Sequence, residues 1–80
     1  IMIMSAEQKK TIRNIAAFLV EKIMEKENCS RDEAVEVLIK TAVYEALMDP
    51  ETDLYLESRE SVLNILEEEL AGNPSKLLEM

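Results

Sequence analysis

Three serines, Ser5, Ser30 and Ser58, each stand just ahead of a segment in which apolar residues return every three or four positions. That combination constrains the fold more than any other feature, because it marks helix starts and then one buried helical face. Ser5-Ala6-Glu7-Gln8 and Ser30-Arg31-Asp32-Glu33 have the form of capping boxes. In such a box the serine accepts from a backbone N–H three residues on, and the Gln or Glu there reaches back to the serine N–H. After the first box, Ile12, Ile15, Ala16, Leu19, Val20 and Ile23 define one face of a helix that runs to about Lys26. Glu27-Asn28-Cys29 breaks the pattern.

The second box opens a segment of a different kind. Val35, Leu38, Ile39, Ala42, Val43 and Ala46 fall on one face, and Val37, Thr41, Tyr44 and Met48 on another. Only a strip with Glu36 and Lys40, spaced as an i,i+4 ion pair, is clearly polar. The pattern predicts one helix from Arg31 to Met48, apolar around most of its circumference. Such a helix is central and covered on both sides, by its own neighbours or by a second chain.

Asp49 and Pro50 end that segment, with Asp49 as N-cap and Pro50 as first residue of a short following turn. Leu54, Tyr55 and Leu56 then fall together, as a single helical turn or as an extended link, the turn being preferred. Ser58 opens a last main helix with Val62, Leu63, Ile65, Leu66 and Leu70. Glu60 in its first turn favours the helix dipole, whereas Glu67, Glu68 and Glu69 oppose it. Gly72 is a natural stop, with Asn73-Pro74 behind it. Residues 75–80 form a last apolar turn or fray. One glycine and two prolines leave few places for hairpins. The expected fold is all-α, a small bundle of three main helices with short helical pieces between and after them. It is one domain over residues 5–72, with a tail or short helix over 73–80.

Ile1-Met2-Ile3-Met4 is too short for a signal-peptide core and lacks a basic leader. It reads as an accident of the chain's start, with Met4-Ser5 as a natural beginning, or as an apolar arm that docks on a neighbour. No apolar run approaches a membrane span. Eighty residues with 48% apolar and 32% charged side chains supply a core and a solvated exterior. A domain this small buries proportionally little surface and usually leans on disulfides, a metal or a partner. With a single cysteine and no histidine, the partner is the expected answer: self-association, or another protein. The unpaired Cys29 fits a reducing cytoplasm.

Charge narrows the partner. Residues 1–40 hold seven basic and seven acidic side chains, whereas residues 41–80 hold two basic and ten acidic, so the net −8 belongs to the second half. An acidic half-molecule repels phosphate backbones and anionic lipid, and suits a basic protein surface. Direct nucleic-acid and membrane binding are therefore not expected. A helix-turn-helix reading fails on the same ground, since the last helix offers Arg59, Asn64 and three glutamates where a reading helix needs basic or amide side chains.

Catalytic chemistry finds little footing. Without histidine there is no imidazole base, no histidine metal ligand and no activated Ser-His or Cys-His nucleophile. Cys29 precedes a helix start, but the acidic Glu27, Asp32 and Glu33 nearby make a poor setting for a reactive thiol. It is read as structural. Glu67-Glu68-Glu69 splay around a helix and are read as a solvated face. Asp49, Glu51 and Asp53 alternate as in a calcium loop, but Leu54 stands where that loop requires glycine. No enzyme, cofactor or metal is expected.

Binding surfaces remain. Tyr44, Met48, Leu54, Tyr55 and Leu56 surround the exit of the second helix, and Val37 and Thr41 extend its second face. Aromatics and methionine are enriched at interface cores, yet the same residues at helical spacing also fill interiors. These seven are the candidate interface.

Asp32-Glu33-Ala34, Tyr44-Glu45-Ala46-Leu47, Asp49, Thr52, the run Leu54-Tyr55-Leu56-Glu57-Ser58 and Glu67-Glu68-Glu69-Leu70 together resemble a family of short bacterial proteins of unknown function. The resemblance covers Asp32 to Leu70. It implies gene neighbourhoods that hold ADP-ribosyltransferase-like toxin domains, hence a place in toxin–antitoxin-type clusters, and it carries no catalytic residues. The expected function is a non-enzymatic interaction protein, a cytoplasmic homodimer that neutralises or assists a toxin. The alternative is a transcription-linked regulator that reaches DNA through a partner protein.

Overall fold

Ser5 begins the fold as its sequence predicts. In the computed structural model, which describes residues 5–72, Ser5 Oγ accepts from Gln8 N at 3.1 Å and Gln8 Oε1 accepts from Ser5 N at 2.8 Å. The arm expected over residues 1–4 and the tail over 73–80 lie outside the described residues. Helix α1 (Ala6–Glu27) ends at Asn28, whose left-handed backbone (φ 51°) suits asparagine and returns its N–H to Met24 O. Ser30 and Glu33 form the second box, at 3.2 and 3.1 Å, and open α2 (Arg31–Ile39).

The predicted helix from Arg31 to Met48 is two helices, so the described bundle has four rather than three. Its chain breaks at Lys40-Thr41 and resumes as α3 (Ala42–Met48). Thr41 causes the break. Its Oγ1 donates to Leu38 O at 2.6 Å, closing α2, and accepts from Tyr44 N at 3.1 Å, capping α3. The first two free donors of α3 are met by a residue distant in sequence: Glu69 of the last described helix accepts from Ala42 N at 2.7 Å and from Val43 N at 3.0 Å. Every orphan N–H of the α3 start before Glu45 is therefore satisfied. Glu69 is half-buried, so the solvated reading of the Glu67–Glu69 run fails at that residue.

Asp49 Oδ1 accepts from Glu51 N at 3.0 Å, and Pro50 starts the first of two single 3₁₀ turns, Pro50–Thr52 and Leu54–Leu56. Asp53 joins them in the left-handed region (φ 58°), which aspartate tolerates better than most residues. Ser58 caps α4 (Arg59–Leu70) by accepting from Ser61 N at 3.1 Å, and Gly72 (φ 91°) follows its C-cap.

The core contains Ile12, Ile15, Leu19, Val20 and Ile23 of α1, Ala34 and Leu38 of α2, Val43 and Leu47 of α3, Leu54, and Val62 and Leu66 of α4. The central element is α1, not the second helix. Its 22 residues span roughly 33 Å at 1.5 Å each, nearly the full 35 Å of the fold. It packs against α2, α3, α4 and the Leu54–Leu56 turn. A break at Thr41 lets α2 and α3 each send one narrow stripe inward, so neither needs cover on two sides. The outer flank of α2 is wet, with Arg31, Asp32, Glu33, Glu36 and Lys40 exposed beside Val35 and Ile39. Glu36 and Lys40 form no ion pair, since Lys40 already lies at the C-cap, where the helix ends. Among the described residues there is no strand, and no helix is long and apolar enough to cross a membrane.

Candidate interaction surface

The seven candidate interface residues do not share one surface. Leu54 is fully buried and Thr41 nearly so, and both serve the interior: Leu54 as core, Thr41 as helix cap. Val37 is half-buried against the core. Tyr44, Met48, Tyr55 and Leu56 reach solvent in two separate hollows on either side of the N-terminal half of α1.

The first is a groove of about 280 Å³ between α1 and α3, lined by Lys9, Ile12, Arg13, Ala16, Tyr44 and Met48. The residues of α1 recur at three and four, so they form one stripe that shares Ile12 with the buried face. Tyr44 and Met48, four apart on α3, supply the facing wall, and Met48 is 40% exposed. The groove is smaller than the roughly 300–1,000 Å³ of typical small-molecule sites. It suits a side-chain anchor better than a cofactor.

The second is a wider, more open hollow of about 490 Å³ lined by Ser5, Glu7, Gln8, Thr11, Tyr55 and Leu56. Gln8 holds its floor. Its Oε1 closes the Ser5 box while its Nε2 donates to Tyr55 Oη at 2.8 Å. Because Ser5 N can only donate, the amide orientation is fixed. Leu56, 67% exposed, is the most exposed large apolar residue among those described.

Charge distinguishes the two. Lys22 and Arg59 are engaged on the Phe18 ring, at 5.4 and 4.8 Å from its centroid, and in ion pairs with Glu25 and Glu60. The side chains of Lys9 and Arg13 have no ion pair, hydrogen bond or ring partner among the described residues. Two free cations thus line an apolar groove. Counting charge by halves hid them, since the first half sums to zero while three of its seven basic residues gather at positions 9, 10 and 13.

Elsewhere the chemistry is sparse. Glu33 is held below the ordinary carboxylate range by the Ser30 backbone N–H and then by the Ser30 hydroxyl. That is a capping role. Cys29 is half-buried and unbridged. No group of three Cys, Asp or Glu among the described residues is placed to hold a metal. No protein-family model, curated protein or solved structure matches this chain, so the resemblance over Asp32 to Leu70 draws no support from them.

Proposed function

We propose that this chain is a non-enzymatic protein-interaction module whose contact face is the groove between α1 and α3. The observation that carries the reading is the pairing of half-open apolar walls, Tyr44 and Met48, with Lys9 and Arg13 on the opposite rim, cations that have no partner among the described residues. Tyrosine, methionine and arginine are the residue types enriched at interface cores. Methionine also adapts its shape to what it meets. The lone Cys29 fits work in a reducing compartment such as the cytoplasm. A narrower role, as toxin-neutralising or accessory partner, draws on the acidic second half and on the resemblance over Asp32 to Leu70.

Site-specific photo-cross-linking tests the reading. A photoreactive residue replacing Met48 yields a protein adduct in cells, and one replacing the exposed Glu36 does not. If position 48 gives no protein adduct, the groove is not a contact face and the reading fails.

A further inference from the structure

We infer that the occupant of the α1–α3 groove is a second copy of this chain, seated about a two-fold axis so that Arg13 of each copy meets Glu45 of the other. The inference rests on the contact-face reading above and names its partner.

The α1 rim of the groove is basic, and an exposed acid, Glu45, stands on α3 next to the groove residue Tyr44. Lys9 and Arg13 stand on the α1 rim. On α3, Val43 and Leu47 point into the core, and Tyr44 and Met48 line the groove. Glu45 lies about 100° around the helix from Tyr44, on the side away from Val43 and Leu47, and is exposed. It has no ion pair among the described residues. A two-fold axis that runs beside the groove sets the basic rim of each copy against Glu45 of the other, which is the self-complementarity an isologous contact requires. Met48 then enters the partner's groove as an apolar knob.

Net charge opposes self-association, so local opposite charges have to offset it. Two chains of −8 repel at long range, so copies meet only where opposite charges face locally within a screening length. The groove supplies such charges twice per dimer. The exposed Val35–Ile39 pair on α2 is apolar too, but nothing in the structure indicates what covers it.

Sedimentation equilibrium on the full chain provides the test. Wild type forms a dimer at micromolar concentration, and Arg13→Glu and Glu45→Arg each weaken it roughly tenfold or more. Mixing the two variants restores a dimer, because both contacts of the mixed pair again join opposite charges, one of them with its signs exchanged. A merely structural role for either exposed residue leaves no route to that rescue. Wild type that stays monomeric, variants that dimerise as wild type does, or variants that dissociate without rescue on mixing each overturn the inference. A monomer that still cross-links another protein through position 48 refutes the second copy and leaves the contact-face reading standing.

Discussion

Glu69 and Ala42 lie 27 positions apart and are joined by a 2.7 Å hydrogen bond in which the Ala42 N–H donates to the Glu69 carboxylate. That bond, with its companion from Val43, lets a seven-residue helix start inside the fold. It also sets the direction in which α3 presents Tyr44 and Met48.

Removing the carboxylate should expose the cost. Hydrogen bonds to charged groups contribute about 1.5–3 kcal/mol and helix caps about 0.5–2 kcal/mol. Glu69→Ala is expected to lower unfolding free energy by about 1–3 kcal/mol in urea titrations, and Glu69→Gln by less, since one amide oxygen still accepts. Thr41→Val removes the neighbouring cap. Because both side chains serve one helix end, the double variant should depart from additivity by about 0.5 kcal/mol or more. Additive losses would mean that the two caps act independently.

Leu54 and Leu56 separate interior from surface within one 3₁₀ turn. Leu54→Ala should cost about 2–5 kcal/mol through the cavity it leaves. Leu56→Ala should stay within about 0.5 kcal/mol. Equal losses would contradict the burial assigned to the turn.

Gln8 gives a contrast between two mild substitutions. Tyr55→Phe leaves the Gln8 Nε2 donor without its partner and should cost about 0.5–1.5 kcal/mol. Gln8→Glu should cost little. Its carboxylate still accepts from Ser5 N, and the tyrosine hydroxyl becomes the donor. A larger loss from Gln8→Glu than from Tyr55→Phe would show that the hydroxyl does not turn over in this way.

The Ser30–Glu33 box predicts a pH dependence of definite sign. The folded chain holds Glu33 in its charged form below the ordinary value of 4.5, whereas the unfolded chain does not. Its contribution is therefore fully present above 4.5 and is lost as pH falls through the lowered value. Thermal melts of Glu33→Gln should show a smaller loss than wild type across that acid window. Parallel curves would remove Glu33 as a source of it.

What was legible in the sequence was local. The boxes at Ser5 and Ser30 formed because serine and its Gln or Glu partner sit within one turn, so no tertiary information is needed. The break at Thr41 was not legible, because the apolar spacing runs across it without interruption. Its cause lies in Glu69, on another helix, and in a threonine followed at the third position by Tyr44 instead of a box glutamate. The one local signal of it was Thr41 itself, a good cap in a poor place for a helix interior. The groove was half legible. Tyr44 and Met48 stood among the candidates, while Lys9 and Arg13 become its rim only once α3 folds back on α1.

In the proposed dimer, α3, set off by Thr41 and Glu69, makes with α1 the face at which the two copies meet. Amide chemical shifts of the full chain, followed on dilution through the concentration range in which the dimer dissociates, provide the test. Shifts are expected at Lys9, Arg13, Ala16, Glu45 and Met48, with Val35 and Ile39 unmoved. Shifts confined to Val35 and Ile39, with the α1–α3 residues still, would contradict that arrangement.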